Sequence, residues 1–272
     1  MMMTIRQISV HGTKPNHYRL TLTCDDGTSR EMTVHQDVLV SHALRKGLVL
    51  TEHEFSTLER SAHLTRAYQT ALRYLGLRMR SVKEMTDYLK KKGFASEELA
   101  GTIEKLKNDN LLNDENFARA YVRTKMRTTL NGPQILYQEL QIKGIAPETA
   151  ALALEEYSSE QQWANAYRLA QRKWQESRGH SHQGKLQKTT EALKRKGYDW
   201  ELIHRVIQEM PNADQESEWE ALIKQAEKLR RKWSGYKDSE ARQKLRSALY
   251  RKGFCIEMIN RYIDDIGRNE EK

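Results

Sequence analysis

The chain has 272 residues, enough for two ordinary domains or one elongated repeat array with a real core. Apolar residues make up 38% and charged residues 31%, which suits narrow helical layers better than one large round core. Leu and aromatic residues recur too regularly for a disordered chain, and the net charge of +9 points to polyanionic partners or an acidic protein surface.

The N-terminus, Met1 to Val10, lacks the apolar core of a signal peptide, and no stretch reaches the length of a membrane span. Ile8 and Val10 alternate with polar residues, as do Tyr18, Leu20, Leu22 and Cys24, then Met32 and Val34. With a turn at Asp26-Gly27, this pattern predicts a small antiparallel β element that must pack on a helix to be stable. A short helix is expected from about Gln36 to Leu44, and everything from about Glu52 onward reads as helical.

An internal repeat dominates the helical part. Leu89-Lys90-Lys91-Lys92-Gly93-Phe94 recurs as Leu140-Gln141-Ile142-Lys143-Gly144-Ile145, as Leu193-Lys194-Arg195-Lys196-Gly197-Tyr198 and as Leu249-Tyr250-Arg251-Lys252-Gly253-Phe254. Glu97, Glu148, Glu201 and Glu257 each follow the glycine by four residues, and Ile103, Leu154, Ile207 and Ile263 follow it by ten. The glycines are 51, 53 and 56 residues apart. Glycine ends a helix in the left-handed conformation, the preceding Lys faces the negative helix end, and the next helix starts at once with Glu in its first turn.

An earlier helix precedes each pair. It carries Phe117, Ala118, Tyr121 and Val122 in the second repeat, Trp163, Tyr167 and Ala170 in the third, and Trp219, Leu222, Ile223 and Ala226 in the fourth. Phe117, Trp163 and Trp219 are expected to be equivalent core anchors. Ser81-x-x-Glu84 makes a capping box for the second helix of the first repeat. The expected fold is mainly α, a tandem array of three-helix repeats with a small N-terminal antiparallel β element. The expected divisions are 1–62 for the β-hairpin and short helix, then repeats at 63–112, 113–157, 158–210 and 211–272.

The chain offers no catalytic motif. Gly179-His180-Ser181-His182-Gln183-Gly184-Lys185-Leu186 approaches a nucleotide-binding P-loop, but Leu186 replaces the magnesium-binding Ser or Thr and no strand precedes it. It is expected to be a flexible loop between helices, and its two histidines are most simply solvated. Cys24 and Cys255 make neither a disulfide framework nor a metal spacing, which fits a reducing cytoplasm. Carboxylates fall at helix starts and outer faces, where capping and solubility explain them. No enzyme activity, cofactor or metal is expected.

Basic residues crowd the second helices and the ends of the first. The candidate partner- or DNA-binding set is Arg78, Arg80, Lys90, Lys91, Lys92, Arg123, Arg127, Lys143, Lys194, Arg195, Lys196, Arg230, Arg231, Lys232, Arg251 and Lys252. Third helices are more acidic: 148–156 carries Glu148, Glu155 and Glu156 and neither Lys nor Arg. Helix-turn-helix readers place a basic last helix in the major groove, so this separation disfavours sequence-specific reading. A basic ridge fits phosphate-backbone contact or an acidic protein groove, while a Lys run at one helix end is most simply a solvated face.

Asp114-Glu115-Asn116-Phe117-Ala118-Arg119-Ala120-Tyr121-Val122-Arg123, leading through Gly132 to Leu140–Ile145, resembles the signature of the RecX family of regulatory proteins. Ala71–Leu75, Arg80-Ser81 and Leu89–Phe94 are similar to that family's first repeat. The match covers about residues 67–210, and the β-containing start and fourth repeat resemble its longer Gram-positive members. This resemblance implies a non-catalytic cytoplasmic protein of DNA repair, homologous recombination and the SOS response. Its implied partner is the RecA filament on single-stranded DNA, whose ATP hydrolysis, strand exchange and co-protease activity it would reduce. Single- or double-stranded DNA is a further expected partner, the expected chain is a monomer, and no membrane is involved. The alternative is a general nucleic-acid-binding repeat protein. The family carries over no catalytic residues.

Overall fold

The computed structural model describes residues 2–232 and 238–270. Four strands open the chain: β1 (Met2–Val10), β2 (His17–Cys24), β3 (Ser29–His35) and, after the short helix α1 (Gln36–Ser41), β4 (Val49–Thr51). They form one antiparallel sheet in the order β3-β2-β1-β4. Gly27, with φ +81°, makes the expected tight turn between β2 and β3. Alternation along β2 puts Leu20, Leu22 and Cys24 on the buried face. Strand β4 is too short to show a period of two in the sequence, and only its pairing with β1 identifies it.

Helix α2 (Glu52–Leu75) covers that face. Thr51 and Glu54 close a reciprocal capping box at its start. Its N-terminal half adds Phe55 and Leu58 to the sheet's core, beside Met3, Ile5, Leu20, Leu22 and Val34. Its C-terminal half supplies Ala71 to a second core with Met85, Leu89, Leu99, Leu106 and Leu112. Residue 62, where the sequence places a division, therefore lies inside a continuous helix. One 24-residue helix serves the sheet and the first repeat together.

The described residues that follow form helices joined by short connections. Repeat 1 is completed by α3 (Val82–Lys91) and α4 (Ser96–Asn108). Repeat 2 comprises α5 (Asp114–Thr128), α6 (Pro133–Ile142) and α7 (Pro147–Leu154). Repeat 3 comprises α8 (Ser159–Glu176), α9 (His182–Arg195) and α10 (Trp200–Gln208). Repeat 4 comprises α11 (Gln215–Lys232), α12 (Asp238–Arg251) and α13 (Ile256–Glu270). The chain divides into two compact bodies, residues 1–118 with 141–149, and 119–140 with 150–272. No helix among the described residues is long and apolar enough to cross a membrane.

Two expectations need correction. Trp163 is not a core anchor like Phe117. It is 37% exposed and stacks on Tyr167, one helical turn further along α8, while Ala166, Leu169 and Ala170 fill the core of repeat 3. Trp219 is half-buried, edge-on to Tyr262. The stretch Gly179–Leu186 is also not a loop throughout. Helix α9 begins at His182, capped by the Ser181 hydroxyl, so the connection covers only 177–181.

Candidate partner-binding surface

The recurring Lys-Gly is first a helix stop. Gly93, Gly144, Gly197 and Gly253 have φ between +80° and +86°. At three of them the amide after the glycine donates back to the repeated leucine's carbonyl: Phe94 to Leu89, Tyr198 to Leu193 and Phe254 to Leu249. The side chains of Lys90, Lys91, Lys194, Arg195 and Arg251 thereby lie in the last turns of α3, α9 and α12, at the negative ends of those helices. Helix α6 has no cation in its last turn, and Ile142, 72% exposed, takes the place of one.

The same turn is also a joint. In repeats 2, 3 and 4 it docks on the N-terminus of the middle helix of the preceding repeat. Ser81 Oγ, capping α3, donates to the Lys143 carbonyl at 2.7 Å, and Lys83 Nζ donates to the Ile142 carbonyl at 2.9 Å. The Gly132 amide before α6 donates to the Lys196 carbonyl at 2.7 Å, and the Gln134 amide to the Gly197 carbonyl at 3.2 Å. Ser181 Oγ, capping α9, donates to the Lys252 carbonyl. Each joint sets the partly negative end of one helix against the partly positive start of another, so each meets backbone groups the other leaves unpaired.

Several predicted site residues are engaged within the chain, some at these joints and some inside a repeat. Glu84, in the first turn of α3, takes Arg78 through paired bonds of 3.1 Å and Lys143 at 2.7 Å. Burial pushes its carboxyl up, but the two cations more than offset this and hold it at about 2. Lys196 Nζ donates to Asn131 Oδ1 at 2.8 Å. Arg80 is buried, its guanidinium 3.8 Å above the Tyr74 ring, which itself stacks on Tyr88. Arg123 and Arg119 both bind Glu156.

The remaining candidates, Lys90, Lys91, Lys92, Arg127, Lys194, Arg195, Arg230, Arg231, Lys232, Arg251 and Lys252, have exposed side chains. The structure thus brings Arg78 and Lys143 together on one carboxylate and leaves the others on the surfaces of their own repeats. Asn131 is a partner that the sequence did not single out, while Glu84, Gly132 and Ser181 stand there only in a capping box, a family signature and a P-loop-like stretch, not as docking partners. Their signal is positional, since all lie in or just before the first turn of a middle helix.

The P-loop-like stretch has spent the groups a phosphate would use. The His182 amide donates to Glu218 at 2.7 Å and the Gly184 amide to Ser181 Oγ at 3.0 Å. An acidic side chain of the protein already occupies this helix start. Among the described residues no cluster of His, Cys, Asp and Glu could hold a metal ion.

Comparison with known proteins gives this architecture a family. Models of the first, second and third three-helix domains of RecX match residues 67–106, 113–154 and 160–207, and the third matches again at 216–263. The regulatory protein RecX of Geobacillus sp. (strain WCH70) is 35% identical over 98% of this chain and 99% of its own length. The chain belongs to the RecX family. The RecX regulatory protein of Oceanobacillus iheyensis is also 35% identical, over 99% of this chain and all of its own. A crystal structure of regulatory protein RecX superposes with a TM-score of 0.66 at 28% identity, over 76% of this chain and 100% of that one. RecX from Lactobacillus salivarius gives 0.53 at 32% identity, over 55% of this chain and 97% of that one. The second match of the third-domain model makes repeat 4 a duplicate of the repeat 3 type. Both have middle helices of 14 residues, against 10 in α3 and α6. As a RecX-family member the chain is a regulatory protein, and its exposed cations are its candidate contacts.

Proposed function

We propose that the chain binds RecA filaments on single-stranded DNA and lowers their ATP hydrolysis, strand exchange and co-protease activity, acting without catalysis in the cytoplasm during recombinational repair and the SOS response. Family membership along the whole chain carries this reading. The exposed last turns of α3, α9 and α12 support it, because Lys90, Lys91, Lys194, Arg195 and Arg251 offer cations to an acidic protein groove or to phosphate. Titrating the purified chain into a RecA–single-stranded-DNA ATPase assay tests it. Hydrolysis should fall with added protein, and unchanged hydrolysis and filament length at excess protein would refute the reading.

A second reading is direct nucleic-acid binding, favoured by the same cations and by the exposed Trp163, which stacks on the half-buried Tyr167 and can offer a base its outer face. It requires tight binding to bare DNA or RNA with a steep salt dependence. Weak binding in the absence of RecA removes it as the main activity.

A further inference from the structure

Among the described residues the joint between repeats is made three times, and repeat 1 carries one half of it with no described residue docked there. Gly93 has the same left-handed backbone, with φ +86°, as its three counterparts. A Cβ built on Gly144 would lie 2.6 Å from Lys83 Cβ, one on Gly197 3.2 Å from Gln134 Cβ, and one on Gly253 2.9 Å from Gln183 Cβ. A Cβ on Gly93 meets nothing within 4 Å. Lys91, Lys92 and Gly93 are exposed, and among the described residues the Lys92 carbonyl accepts no hydrogen bond from a neighbouring repeat.

The receiving half follows a fixed register. Lys83, Gln134 and Gln183, the residues beneath the glycine, are each the second residue of a middle helix. In the fourth middle helix, α12, that position is Ser239, small and exposed. The third residue is Glu240, with a side chain 58% exposed that faces Lys244, one turn on, at a long 3.9 Å and keeps room for a second cation. Glu84 holds the same third position in α3, where it binds the ammonium of the repeated Lys143 at 2.7 Å. The first turn of α12 therefore has the acidic group that the Lys92-Gly93 turn needs, in the register already used by α3.

We propose that copies of this chain associate head to tail, the Lys92-Gly93 turn of one copy docking on the first turn of α12 of the next, with Lys92 paired to Glu240. The contact is heterologous, so each copy offers one turn and one receiving helix, and association can continue beyond a dimer. This differs from the monomer expected from the sequence. It is independent of the reading on RecA, because it is measured with this chain alone.

Sedimentation velocity over a range of concentrations tests it with three samples. The unmodified chain should show a weight-average mass that rises with concentration past that of a dimer. Gly93→Asn keeps the left-handed backbone, which Asn tolerates, but fills the space the neighbour must occupy. Glu240→Lys sets like charges together. Each variant alone should stay monomeric and folded, with no more than a small fall in melting temperature, which for Gly93→Asn reflects the strain of a side chain at φ +86°. An equimolar mixture of the two should stop at a dimer, since only one intact joint can form between them. A mass for the unmodified chain that does not change with concentration overturns the proposal. So does association that survives in either variant, or a mixture that stays monomeric.

Discussion

Replacing Gly144 with Ala sets two costs on one residue, and Gly93→Ala isolates the first of them. Both glycines hold φ near +80° to +86°, where an L-residue pays about 1–2 kcal/mol. Gly93 adds nothing further, because its Cβ would point into open space. At Gly144 the new Cβ would lie 2.6 Å from Lys83 Cβ, the stem of a side chain fixed to a capped helix and unable to swing aside. Forcing that contact apart costs a further 1–3 kcal/mol or so, the usual range for overpacking. It also lengthens the bonds from Ser81 to the Lys143 carbonyl and from Lys83 to the Ile142 carbonyl. A chain of several repeats need not unfold in one step, so native-state hydrogen exchange is the appropriate assay. Amides in the first turn of α3 should lose roughly 5- to 150-fold more protection in Gly144→Ala than in Gly93→Ala, the equivalent of that extra energy. Equal losses in the two variants would refute the joint as an energetic contact and reduce the recurring Lys-Gly to a helix stop.

Glu84 makes the first body sensitive to acid. Its carboxyl is held at about 2 in the folded chain against an ordinary 4.5, so its stabilisation is full above 4.5 and is lost as pH falls from there towards 2. After discounting for solvent screening this amounts to about 1–2 kcal/mol, and Glu84→Gln should flatten that limb of a pH-dependent melt. Asp114, raised by burial against the bond from the Val82 amide, acts in the opposite sense: it disfavours the fold once ionised, so Asp114→Asn should not remove the acid limb. Phe117→Ala should cost about 3–5 kcal/mol in denaturant melts, because Phe117 is buried, whereas Trp163→Ala should cost well under half of that. Replacing Lys90 and Lys91 with Gln should lower the melting temperature only slightly, through the lost helix-end cations, and reduce the salt slope of partner binding, while Lys143→Gln should lower stability more by removing a cation from Glu84.

The sequence by itself determined the repeat, its spacing and the left-handed glycine that ends each middle helix, because these follow from local backbone geometry and a periodic apolar face. The β2–β3 hairpin was legible for the same reason, since Asp26-Gly27 and the alternation around it are local signals. Tertiary structure decided what the repeated Lys-Gly is for. Whether a carbonyl at Lys143, Lys196 or Lys252 faces water or a capping Ser or Gly depends on a residue more than sixty positions away, and no local pattern records that pairing. The same distance hid the division of the cations. Arg78 and Lys91 look alike in sequence, yet one is spent on Glu84 and the other stays exposed. Trp163 was misread because helical spacing places a residue on a face but not at a depth, and the small Ala166 and Ala170 leave the core of repeat 3 closed without it.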